Sequence, residues 1–191
     1  MTISTRRSAA AVGVALTTLG ICYGIAALSG WEPSWGYLAR AVIHIGELAV
    51  VIALAGTAAI ATGRLGRFGL GVAMLGQVLL AVAELVFLAN PALENALFAI
   101  GPLASGAGMV AAGVAVRRAR AWRRRQWLLP LLIGVWILVP TTPVMMITGG
   151  PPAPLALGAI IVWDVLWALT GLATLGATAS VRRPAAVAVV D

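Results

Sequence analysis

The sequence has no lysine, a single cysteine, a single histidine and two tyrosines, and only 10% of its 191 residues are charged. One cysteine rules out an intrachain disulfide and any multi-thiolate metal centre, so Cys22 reads as a small apolar residue of the first hydrophobic run. The "LGIC" that ends on it makes a poor lipoprotein box, because Ile21 stands where a small residue belongs. No Walker A, dinucleotide, HExxH or CxxC pattern occurs, so nucleotide-driven transport and hydride chemistry lose their usual signatures, and no cofactor and no catalytic residue are assigned. Amphipathic surface helices with a polar face are missing too, which argues against a soluble globular domain.

What the chain has instead is hydrophobic sequence, 61% of all residues, in repeated runs of about 20, the length a helix needs to cross ~30 Å of hydrocarbon. Six spans are expected, near Ala9–Leu28, Leu38–Thr62, Phe68–Ala89, Ala96–Val116, Trp127–Thr148 and Leu155–Ala179. Short connections rich in Gly, Pro, Asn and Arg separate them, among them "SGWEPSWGY", "NPALEN" and "TGGPPAP". The fold class is therefore an all-α membrane protein, a six-transmembrane-helix bundle forming a single integral domain over residues 1–191. The first run resembles a signal peptide in its leading Arg6 and Arg7, but it is longer than a signal core and lacks a clean A-x-A site before Trp31, so it is read as a span.

The net charge of +7 comes from arginines at the ends of these runs, where headgroups and the positive-inside rule account for it without nucleic acid. Arg6 and Arg7, Arg64 and Arg67, the cluster Arg117 to Arg125, and Arg182 and Arg183 all fall on one face; Arg40 alone lies at the other. Both termini are expected to be cytoplasmic in a multi-pass plasma-membrane protein, with Trp31, Trp35, Trp122 and Trp127 as interfacial anchors. The basic loop, Arg117, Arg118, Arg120, Arg123, Arg124 and Arg125, can engage anionic lipid or a cytosolic partner.

Counting from these arginines places Glu47, Glu84 and Asp164 each seventeen or eighteen residues away, ~26 Å from the cytoplasmic end at the helical rise. Three of six acids thus share one depth in the outer third of the membrane. In "VIHIGELAVV", His44 lies one turn from Glu47, and Arg40 extends that column outward. Gln77 shares a face with Glu84, while Thr141, Thr142 and Pro143 on span five and Gly101 and Pro102 on span four reach the same level as a polar, helix-breaking layer. An isolated charge in hydrocarbon costs at least ~2.5 kcal/mol, so Arg40, His44, Glu47, Gln77, Glu84, Asp164, Thr141 and Thr142 are expected to line an outward-facing pocket inside the bundle. Three neighbouring carboxylates cannot all stay ionised cheaply, which is the chemistry of a proton or cation site. His44, Glu47, Glu84 and Asp164 would also be the candidate metal ligands, although a lone histidine makes no metal assignment. The stripe Ala104, Gly108 and Ala112 is read as close helix packing.

The six-span layout, "HIGEL" in the second span and "LASGAG" opening the fourth are similar to the rhomboid intramembrane proteases. That resemblance would make Ser105 the nucleophile, with Gly106 after it, and His44 the histidine of span two. The sequence departs from the pattern at Leu103 and Leu48, and span six, "IIVWDVLWALTGLA", has no histidine to act as base, so Ser105 is read as a packing residue. The leading functional expectation is proton- or cation-coupled transport of a small solute. A non-catalytic binding or assembly module using the basic loop stands second, and a membrane-embedded enzyme or inactive rhomboid-like protein third.

One test follows from the arginine distribution. Reporters fused at both termini and at Arg120 should read cytoplasmic and those at Asn95 and Gly150 external; an external signal at Arg120 would overturn the six-span topology.

Overall fold

A computed structural model describes residues 1–57, 63–120, 122 and 125–180, with side chains to residue 177. The expected boundary at Thr62 and the arginines at 123, 124, 182 and 183 lie outside the described residues. The described chain is helical with no strand, and six helical stretches are long and apolar enough to cross a membrane. They are α1 (Ile3–Leu28), α2 (Gly36–Ala55), α3 (Arg64–Val86), α4 (Pro91–Ala119), a fifth stretch made of α5 (Leu128–Trp136), a π turn (Ile137–Thr141) and α6 (Thr142–Thr148), and α7 (Pro154–Ser180).

The helices α1 and α4 begin earlier than hydrophobicity alone suggests, because polar caps rather than apolar residues start them. Thr2 accepts a hydrogen bond from the Thr5 amide at 3.2 Å, and Asn90 accepts from Leu93 N–H at 3.0 Å just ahead of Pro91, whose missing N–H costs nothing in the first turn. Pro102, expected as a break, lies inside a continuous α4. The fifth stretch does break register. Pro140 cannot donate to the Trp136 carbonyl, and the chain shifts to a π turn in which both the amide and the hydroxyl of Thr142 donate to Ile137 O, the hydroxyl at 2.7 Å.

Successive helices pack antiparallel, and α7 closes the ring against α1 and α5. Arg6 at the start of α1 donates to Gly56 O at the end of α2, so these ends meet. The α3–α4 contact is the tightest, with Gly76 against Ser105 and Gly108 against Ala73. A Cβ on either glycine would fall 2.4 Å from a backbone nitrogen of the facing helix. The packing stripe on α4 is thus Gly101, Ser105, Gly108 and Ala112, all buried; Ala104, the expected first member, is only partly buried. Val50, Leu54, Leu70, Met109, Val116 and Ile133 fill the interior on the side of the arginine-bearing ends.

Because that contact is backbone on backbone, Gly76→Val and Gly108→Val should each destabilise the folded protein by about 1–3 kcal/mol, read as a lower melting temperature in detergent. Gly71→Ala, where nothing lies within 4 Å of the added carbon, is the matched control and should be neutral or slightly stabilising.

A candidate polar site within the bundle

At the end of the bundle away from the arginine cluster, α2 presents Arg40, His44 and Glu47 on one face, as the three- and four-residue spacings require. Arg40 is a junction. Its Nε donates to Glu84 Oε2 of α3 at 2.8 Å, and its Nη1 donates to Glu32 in the α1–α2 connection and to the Tyr23 hydroxyl of α1 at 3.3 Å. Tyr23 in turn donates to Glu32 Oε1 at 2.9 Å. One guanidinium therefore ties α1, the first connection, α2 and α3 together. Glu84, 7% exposed, is the buried partner, and Glu32, 49% exposed, is the open one.

One turn deeper, His44 Nδ1 lies 2.6 Å from Glu47 Oε2, close enough for a single proton to be held between ring and carboxylate. The Glu47 side chain is completely buried, and its other oxygen, Oε1, has no hydrogen-bond partner. Gln77 lies beside the imidazole, and Glu84 and Asp164 are near enough to act on its charge. Asp164 of α7 also feels Glu47, yet it is buried with no side-chain hydrogen bond to a described residue. It fits there because α1 has no side chain at Gly20, where a Cβ would sit 2.8 Å from Asp164 Oδ2. Trp163 supplies the apolar wall, its ring centroid 6.5 Å from that of His44.

The fold thus gathers Arg40, His44, Glu47, Glu84, Gln77 and Asp164 of α2, α3 and α7 over successive turns toward one end of the bundle. Gln77 turns its amide nitrogen to Ser105 Oγ of α4 at 2.8 Å and leaves its own carbonyl oxygen, Oε1, buried without a partner. The two threonines do something different. Thr142 spends its hydroxyl on its own helix, whereas Thr141 is buried with an unpartnered hydroxyl in the π turn. Ser105 is a packing residue that also accepts from Gln77, and the sole histidine is engaged with Glu47. Among the described residues no three His, Cys, Asp or Glu side chains gather closely enough to hold a metal ion.

Tyr23, Glu32 and Gly20 escaped sequence reasoning. Glu32 looks like an ordinary loop acid, and Tyr23 is one polar tip in a long apolar run; only their shared position at the outer end with Arg40 hinted at a network. No protein-family model matches the chain, and neither a curated protein nor a solved structure matches it.

Since Glu84 is buried and Arg40 is its only ion-pair partner among the described residues, Arg40→Leu should cost about 2–4 kcal/mol of stability, more than Glu32→Gln at the exposed side. Adding Glu84→Leu to Arg40→Leu should recover part of that loss, and a double-mutant cycle on thermal unfolding in detergent measures it.

Proposed function

We propose that the chain is an integral membrane protein crossing the bilayer six times, with both termini on the cytoplasmic side of the plasma membrane. In this reading the His44, Glu47 and Asp164 cluster exchanges a proton in a carrier of a small solute. Membrane insertion is supported by an inverted distribution of polarity: Leu19, Ile45, Leu75, Leu103, Val139 and Leu169 are exposed while Glu47, Gln77, Glu84 and Asp164 are buried. In water that arrangement places both kinds of residue on the costly side; in lipid it places both well.

The observation that carries the proton reading is a surplus of acceptors. Glu47 Oε1 and Gln77 Oε1 are buried and unpartnered, and Asp164 has no hydrogen bond to a described residue; the His44 ring reaches Glu47 Oε2 alone, and the buried indole N–H of Trp163, itself unpartnered, reaches none of them. A buried acceptor left unmade costs about 1–3 kcal/mol, and a proton on Glu47 or Asp164 converts one acceptor into the donor the cluster lacks. It also removes a charge from an apolar surround. A proton fits this set better than a metal ion, which needs three or more converging ligands. In the second reading, a non-catalytic binding or assembly module, the carboxylates only fasten helices; that role is favoured at the rim alone, where Arg40 joins Glu84, Glu32 and Tyr23.

Glu47→Gln keeps the shape and removes the exchangeable proton. Infrared difference spectroscopy on the purified protein should show a protonated carboxyl C=O band that disappears in Glu47→Gln and shifts in Asp164→Asn, because the two groups are coupled. The Gln variant should stay as stable as the parent, and Glu47→Leu should lose stability along with its hydrogen bond to His44. If the carboxyls titrate independently like solvent-exposed acids, the shared proton site is wrong.

A further inference from the structure

The arginine end carries a second built feature, independent of the proton reading. Between the end of α4 and the start of α5 lies a recess of about 750 Å³, lined by Arg117, Arg118, Arg120, Trp122, Trp127 and an apolar wall that includes Leu131. We propose that this recess binds the phosphate of an anionic lipid, with the acyl chain along the apolar wall.

Four observations support it. Every ion pair among the described residues involves Arg40 or His44 at the opposite end, so no described carboxylate neutralises Arg117, Arg118 or Arg120. The Arg117 guanidinium lies 5.0 Å from the centroid of the Trp127 ring, a stacking contact that orients a planar fork suited to two phosphate oxygens. Trp122 is 7% exposed and its indole N–H, buried in the recess wall, has no hydrogen-bond partner. Arg120 caps α4 in the left-handed region at φ 49°, a conformation that glycine usually supplies and that turns the chain around the recess. Phosphate is the chemistry shared by a lipid headgroup and a soluble phosphate ion; the apolar wall is what selects the lipid, since a free ion gains nothing from it.

The test uses the full chain purified in a neutral detergent and native mass spectrometry of bound lipid. Short-chain phosphatidic acid should be retained about tenfold more than phosphatidylcholine of the same chain length, because charge-assisted hydrogen bonds to the phosphate distinguish them. Arg117→Gln, Arg118→Gln and Arg120→Gln combined should abolish that preference. The same three positions changed to Lys keep the charge that directs membrane topology, so this variant is informative even where the Gln variant fails to fold. It should weaken retention about threefold, having lost the planar fork and the stacking on Trp127. Equal retention of the two lipids by the parent chain, or unchanged retention in the Lys variant, overturns the proposal. Displacement of phosphatidic acid by equimolar inorganic phosphate also overturns it as a lipid site and reassigns the recess to a soluble phosphate.

Discussion

A buried polar group in a helix bundle of this composition has no water to fall back on, and the structure follows from how each such group is answered. Glu84 is met by Arg40, and Arg40 has donors left over, which reach Glu32 and Tyr23. That chain of obligations fixes the rotation of α2 relative to α1 and α3, and so decides that His44 and Glu47, on the same face one and two turns further in, point to the interior rather than outward. In the bilayer proposed above, hydrophobic burial alone would not choose that rotation, because apolar side chains would be as well placed against lipid as against one another.

That the polar residues gather toward one end of the helices was readable in the sequence, and their connectivity was not. Helical rise is nearly constant, so counting from flanking arginines puts Glu47, Glu84 and Asp164 at one level, and in the structure Glu47 meets His44 while Glu84 is taken by Arg40. Which neighbour each group takes depends on rotation and on the path of a connection, neither of which a count supplies. Hence Gln77, assigned to the carboxylate layer by its spacing from Glu84, gives its amide to Ser105, and Arg40 reaches Glu32, a half-exposed loop acid, as well as the buried Glu84. The helix starts at Thr2 and Asn90 obey ordinary capping chemistry, but hydrophobic runs do not report caps. Pro143 announced a break in span five, but the disturbance is a π turn around Pro140, one turn earlier, and Pro143 lies in the first turn of the helix that follows.

The two ends of the bundle are chemically opposite. Acidic and neutral acceptors gather at one, guanidiniums without a described carboxylate partner at the other, and between them lies an interior rich in apolar side chains, Val50, Leu54, Leu70, Met109 and Val116 among them. Trp163 and Trp167, in edge contact at 6.1 Å between centroids, mark the transition on α7, with Asp164 at the polar edge of the pair. The end with the buried carboxylates is the one whose network reaches the surface, since Arg40 and Glu32 are both partly exposed.

If the proton cluster serves transport, access from the second side requires that this apolar layer part, and the packing limits where it can do so. The α3–α4 pair is locked, because Gly76 and Gly108 bring backbone against backbone and leave no side chain to rearrange. Span five is the opposite case. It is interrupted by the π turn, carries the unpartnered Thr141 hydroxyl, and reaches α7 through the Trp136 indole N–H donating to Ala159 O at 2.9 Å. A helix that has already given up one register of hydrogen bonds is the cheapest place to change another. Movement of span five with α7, the helix that carries Asp164, would alter the cluster directly while α3 and α4 hold Glu84, Gln77 and Ser105 in place as the fixed wall.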